Sequence, residues 1–421
     1  MTPEIKQRIA QIQRGEVPEG YKKCSVGIRP SEWNCQRLKE ICIINPPRTK
    51  TESEKTTFLG MSDVDESGHI LCQNLIDTNQ VKEGLTPFEK GDILVAKITP
   101  CFENGKGANT KELCTQTGVG STEFHVLRSE INADFIFYHT ISKTFRSKLE
   151  REMTGSAGQK RVQTDSLANY EIAVPCIQEQ QKIAAILMTQ DKIIELKEKL
   201  LAEKQHQKKY LMQQLLTGKK RLPGFSGEWK KVKLKAILRE RETYSPKGLE
   251  YPHVTLSTKG ILPKSERYDR DHLVKDEDKE YKITHKGDIC YNPANLKFGV
   301  ICENTFGNAI FSPIYVTFEV IGNVSREYLA QYLMRWDFIN AIRKYEEGTV
   351  YERMAVKPED FLKYEILLPE IKEQITISEV LSAADREIDL RQKDIEQEKQ
   401  KKKALMQLLL TGIVRVKDER Q

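Results

Sequence analysis

One long stretch of this chain occurs twice. Residues 170–221 align with residues 364–415 at a constant offset of 194 without a gap, and 23 of the 52 aligned positions are identical. Such a repeat limits the fold more than any local propensity, because both copies must build the same supersecondary unit. Each copy opens on an apolar run ending in proline, YEIAVP and YEILLP, and closes on Leu-Thr-Gly. Within the first copy Leu187, Ile194 and Leu201 recur every seven residues, and Leu211 and Leu215 continue the stripe. The second copy repeats it with Leu381, Ile388, Ile395, Leu405 and Leu409. A seven-residue apolar period predicts helices packed on one another as a coiled coil. Pro175 before and Gly218 after set the first helix at 178–216. A helix of that size is about 58 Å long at about 1.5 Å per residue. The stretches 202–209 and 396–403 are too polar for the core of a globular domain, which also favours a helix pair.

The duplication continues more faintly upstream. Glu32-Trp33 and Leu38-Lys39 match Glu228-Trp229 and Leu234-Lys235, and the Lys-Gly-Asp-Ile of 90–93 matches that of 286–289, both at offset 196. Gly155 matches Gly348, and GEVPEGY at 15–21 echoes the GKKRLPGF that starts at Gly218. Between these anchors the halves differ almost everywhere. The chain therefore divides into an N-terminal segment 1–29 lying near the C-terminal helix, a domain at 30–169, a helical spacer at 170–221, a second domain at 222–363 and a second spacer at 364–421. Short β-like runs at 93–98 and 315–320, set between Gly, Pro and Asn turns, predict irregular sheets. Short helices are expected near 134–150 and 325–345. Two domains that share a frame and little else suit a protein whose halves bind different things.

Composition narrows the classes. Charged residues make up 30% and apolar residues 38%, with a net charge of +6, a mild excess compatible with nucleic acid. Nine cysteines, an odd number with no Cys-x-x-Cys pair, offer no zinc site and read as reduced thiols, which implies a cytoplasmic protein. The polar start MTPEIKQRIAQIQRGEVPEGYKK lacks the apolar core of a signal peptide, and no run of about 18 apolar residues spans a membrane.

No catalytic constellation and no metal site emerges. Asn45-Pro46-Pro47-Arg48 resembles the Asn-Pro-Pro-aromatic motif of adenine methyltransferases, but Arg48 replaces the aromatic and no glycine-rich cofactor loop is present; a proline turn leaving a strand accounts for it. Gly105-Lys106-Gly107 lacks the spacing of a phosphate loop. The segment from Gly155 to Arg161 (GSAGQKR) sets amides and cations where they reach phosphates, or serves as a domain-to-helix hinge. Its second copy keeps the glycine and an arginine but loses the glutamine and lysine. The run 197–221 carries eight Lys/Arg facing DNA, an acidic partner or solvent. The candidate DNA contacts are Arg48, Lys50, Lys97, Lys106, Lys160, Arg161, Lys297 and Arg353.

At this level of detail the chain resembles the specificity subunits of type I restriction–modification systems. The resemblance rests on Tyr170, Glu171, Ile172, Pro175, Glu179, Gln180, Ile183, Leu187, Asp191 and the closing Leu211, Leu215, Leu216, Thr217 and Gly218. Tyr364, Glu365, Ile366, Pro369, Glu373, Gln374, Ile377, Leu381, Asp385, Leu405, Leu409, Leu410, Thr411 and Gly412 repeat them. It implies an α+β protein with two α/β target recognition domains in pseudo-twofold tandem, separated by two long antiparallel coiled-coil helices. Each domain is then expected to read one half of a split double-stranded DNA site. The helices set the gap and dock two adenine methyltransferase subunits, with a restriction motor subunit as a further partner in some assemblies. S-adenosylmethionine, ATP and Mg²⁺ then belong to those partners, and this chain is a non-catalytic subunit with no cofactor of its own. The rival readings are a coiled-coil scaffold joining two protein-binding domains, and a fused methyltransferase, for which the chain has neither room nor motif.

Overall fold

The computed structural model describes residues 2–49, 53–156, 158–246, 251–264, 280–347 and 354–416. The chain forms two compact units, Met1–Lys197 with Asp394–Gln421, and Glu198–Lys393. Each unit holds one mixed domain, the first half of one long helix and the last half of the other. The helices run Ile177–Leu215 and Ile371–Leu410, 39 and 40 residues.

In the first unit the central sheet has four antiparallel strands in the spatial order Cys42–Ile44, Phe124–Ser129, Ile93–Ala96, Gly107–Asn109. The second unit repeats the order with Leu238–Glu240, Val316–Val320, Ile289–Tyr291 and Ile301–Glu303. Two short helices follow each sheet, Ala133–Thr140 and Lys143–Arg151, then Arg326–Leu333 and Trp336–Ile342. Asn132, Ser142 and Ser325 cap three of them by accepting the amide three residues on. The domains part company in the outer sheet. The first has four strands, with Lys55–Leu59 parallel to Thr117–Gly120. In the second, Tyr244–Pro246, Glu280–Thr284 and Ala309–Phe311 form three strands beside a hairpin of Val254–Ser257 and Gly260–Pro263.

The repeated sequence anchors tie each domain to its helices. Glu171–Val174 pairs with Asn34–Arg37, and Glu365–Leu368 pairs with Lys230–Lys233. Gln180 donates to Pro175 O at 2.9 Å and accepts the Asn132 amide at 3.2 Å, and Gln374 does the same with Pro369 at 2.8 Å and Ser325 at 3.0 Å. These buried glutamines meet otherwise orphaned backbone groups, which explains an identical polar residue in an apolar setting.

The heptad positions face inward. In the first unit Leu187, Ile194, Ile395 and Leu409 are buried and Leu405 half-buried. In the second, Leu215 and Leu381 are buried, with Leu201, Leu211 and Ile388 half-buried. The helices are antiparallel: Asp191 pairs with Lys402 at 2.5 Å and Lys197 with Glu398 at 2.8 Å in the first unit. In the second, Lys204 pairs with Glu387 at 3.2 Å and Lys208 with Asp385. The acidic partner of the basic run 197–221 is thus, for four of its cations, the sister helix: Lys197, Lys204 and Lys208 as above, and Arg221 with Glu373 at 2.6 Å.

Candidate nucleic-acid interface

In the first domain the strand Ile93–Ala96 ends in Lys97, and the chain from Gly155 returns beside it. Val162 N donates to Lys97 O at 2.9 Å, and Thr99 N donates to Lys160 O at 2.9 Å. Three candidate cations more than sixty residues apart in the chain, Lys97 against Lys160 and Arg161, thereby share one patch. The hairpin that carries Lys160 and Arg161 closes through bonds of Thr154 with Arg161 at 3.1 and 2.8 Å. Gly155 has φ +132°, and a Cβ there would lie 2.7 Å from Gln159 O, so the turn requires glycine.

Electrostatics ranks these cations. Arg161 grips Glu123 through Nη2 at 2.8 Å and Nε at 3.0 Å, and that arginine holds the Glu123 carboxyl below its ordinary range. Its charge is largely engaged. Lys160 is exposed and Lys97 half-buried. Beneath them His125 is buried, which pushes its pKa down, and its Nε2 sits 2.9 Å from Val162 O. A neutral imidazole there adds no positive charge to the patch.

The second domain sews the same place. Val356, which aligns with Val162, donates to Pro293 O at 3.4 Å, and Pro293 follows the strand Ile289–Tyr291 as Lys97 follows its own. Tyr291 OH adds a bond to Val356 O at 3.0 Å. The turn beyond carries Lys297, whose Nζ lies 5.2 Å from the centroid of the Phe298 ring, and Phe298 is 62% exposed. An exposed ring beside a cation on a glycine-closed turn suits stacking on a base or sugar. Sequence reading missed Phe298; a Lys-Phe-Gly turn after a motif strand was the available signal.

The remaining candidates fall elsewhere. Lys106 donates to Met61 O at 2.7 Å, a structural role. Arg48 is exposed and lines a pocket with Thr49, Phe88, Glu89 and Arg128, a lining that does not include Lys97, Lys160 or Arg161. The Asn-Pro-Pro segment is a turn leaving the strand Cys42–Ile44. Asn45 takes a left-handed φ of 48°, and its Oδ1 accepts the Val126 amide at 3.0 Å. Lys50 and Arg353, with the segment 348–353, lie outside the described residues. Among the described residues no cluster of His, Cys, Asp and Glu is placed to hold a metal, and no helix is long and apolar enough to cross a membrane.

Comparison with known proteins agrees with this architecture. Residues 30–205 match the family described as the type I restriction modification DNA specificity domain. The chain is 41% identical over 161 residues to the type I restriction enzyme EcoEI specificity subunit of Escherichia coli, a match covering 37% of this chain and 27% of that relative's length. Among solved structures, a chain from work on complex assembly and conformational transition of the type I R-M system superposes with a TM-score of 0.60 at 18% identity, covering 92% of this chain and 99% of its own. The HsdS subunit from Thermoanaerobacter tengcongensis gives a TM-score of 0.50 at 18% identity, over 92% of this chain and 98% of that subunit.

Proposed function

We propose that this chain, whose residues 30–205 match the type I restriction modification DNA specificity domain, is the non-catalytic DNA-reading subunit of a type I restriction–modification complex. Each target recognition domain reads one half of a bipartite site in double-stranded DNA. The observation that carries this reading is the contrast at one place. Both domains share the strand order and the Val162 and Val356 bonds that frame the turn, yet the first turn offers Lys97 and Lys160 and the second Lys297 and Phe298. A shared frame fixes where the reader sits; different side chains on it select different base edges.

Two adenine methyltransferase subunits dock on the helical parts and supply S-adenosylmethionine chemistry. A cytoplasmic site of action fits nine free thiols. Lys97, Lys160 and Lys297 are the first candidates for phosphate contact. Arg161 joins them only by releasing Glu123. Lys50 and Arg353 remain candidates on sequence alone.

Co-expression with the neighbouring methyltransferase subunit in a host lacking adenine methylation, followed by mapping of modified adenines, tests the proposal. A two-part motif that disappears without this chain is the expected result. A stable complex of the two proteins that modifies no DNA would overturn it. In the purified complex, Lys97→Ala with Lys160→Ala should lower the slope of log affinity against log salt by about 2 without altering the motif.

A further inference from the structure

Each helix start is locked by the same three side chains, but the two locks differ in how the chain reaches them. In the second unit Glu373 accepts Trp229 Nε1 at 3.3 Å and Arg221 Nε at 2.6 Å and Nη2 at 2.7 Å. Arg221 and Trp229 are neighbours along one continuous backbone, eight residues apart. In the first unit Glu179 accepts Trp33 Nε1 at 3.1 Å and Arg415 Nε at 2.7 Å and Nη2 at 2.8 Å. Here the arginine and the tryptophan come from opposite ends of the chain, so nothing covalent holds the end of the second helix against the first domain.

The first unit carries bonds suited to that gap. Tyr21 OH donates to Gly412 O at 2.7 Å and Arg8 Nη1 donates to Ile413 O at 2.7 Å. Arg415 reaches Glu32 at 2.8 Å, and Val416 N donates to Glu179 at 3.3 Å. Gly412 passes so close to Pro30 that a Cβ would lie 2.5 Å from Cγ. The residue aligned with Tyr21 in the continuous copy is Phe225, which has no hydroxyl to donate. A hydroxyl thus occurs where the backbone is interrupted and is absent where it runs through.

We propose that residues 412–416 form a noncovalent latch, with Tyr21 and Arg415 as positioning residues for the first target domain alone. The second domain needs no such latch, because a covalent tether keeps Arg221 at high effective concentration beside Glu373. Loosening the latch therefore degrades reading of the first half-site and spares the second. This consequence for DNA rests on the function proposed above; the latch itself does not.

Hydrogen–deuterium exchange of the full chain tests the latch directly. Arg415→Ala is expected to speed exchange in 405–416 and in the strands Asn34–Arg37 and Glu171–Val174 by at least about tenfold, leaving Lys230–Lys233 and Glu365–Leu368 unchanged. Tyr21→Phe, which removes a single hydroxyl and spares the core, should speed exchange in 405–416 by about fivefold. Arg415→Lys should recover part of the protection, and Arg221→Ala should have the smaller effect on its own unit. In the methylation map, Arg415→Ala should relax the first half of the motif and keep the second. Unchanged exchange in both Arg415→Ala and Tyr21→Phe, or equal loss in the two units, would overturn the latch. Equal relaxation of both half-sites would overturn its role in positioning. Should the unaltered chain direct no methylation, the DNA reading falls and the exchange experiment still decides the latch.

Discussion

Arg128 clasps Asp92 with two bonds of 2.9 Å, from Nε and from Nη2, across the central sheet of the first domain. The aligned aspartate of the second domain, Asp288, takes the same grip at 2.9 and 3.0 Å, but from Arg241, which lies after a different strand. The Lys-Gly-Asp-Ile motif thus preserves an acceptor while the donor moves. Each carboxylate also accepts the amide three residues earlier, Glu89 or His285, at 2.7 Å, which closes the turn before the strand. Both aspartates are buried, so a one-sided change removes the two-pronged grip and leaves Arg128 with Glu89 at 3.0 Å and Arg241 with Glu319 at 3.9 Å. Asp92→Asn and Asp288→Asn should each cost about 2 kcal/mol in urea unfolding. An effect below about 0.5 kcal/mol at both positions would show the motif to be dispensable for stability.

Acid should loosen the helix pair. Bonds from Lys197 and then Gln190 pull the Glu398 carboxyl down to about 2. Burial opposes ionisation of Glu179, but Arg415 and Trp33 prevail and hold it below its ordinary value. A depressed carboxyl contributes stability that is complete above its unfolded value and lost as pH falls toward the folded one. The melting temperature should therefore be flat between about pH 7 and 5 and fall steadily below about 4.5. Glu398→Gln should flatten that fall, as followed by far-ultraviolet circular dichroism.

Position on the helix should decide the cost of losing a leucine. Leu187 and Leu381 are fully buried at equivalent places, and alanine at either should cost about 3 kcal/mol. Leu196 and Leu390 are also equivalent but 54% and 67% exposed, and alanine there should change stability by less than about 0.5 kcal/mol. Chemical denaturation of the four variants checks this directly.

The ions between the helices should act as a switchable pair. Lys197 lies 2.9 Å from Asp394 and 2.8 Å from Glu398, so Lys197→Glu sets three acids together and should destabilise by about 1 kcal/mol. Adding Glu398→Lys should recover most of the loss. The penalty of the single variant should shrink in about 1 M salt, because charges within reach of solvent, Asp394 above all, are then screened.

The heptads, the duplication and the repeated anchors were legible in the sequence because each is local. A seven-residue apolar period sets one helix face wherever the helix lies, and an offset of 194 repeats it. The limits predicted for the first helix, 178–216, fall within one residue of Ile177–Leu215, since a proline and a glycine act on the backbone beside them. The candidate cations were legible only as a set. Lys97, Lys160 and Arg161 are plain basic residues until the chain returns from Gly155 to bond Lys97 and Thr99.

What the sequence by itself determined is the alternation of two related domains with two matching helices, and their likeness to DNA-reading subunits. Tertiary structure alone decided where each charge is used. Trp33 meets Glu179 across 146 residues, Lys197 meets Glu398 across 201, and Arg161 meets Glu123 across 38. No spacing rule links such pairs, because a side chain's partner is set by where the folded chain returns, and the energy of a charge depends on that partner and its burial. Lys106 spent on a carbonyl and Phe298 exposed beside Lys297 differ from their neighbours for the same reason.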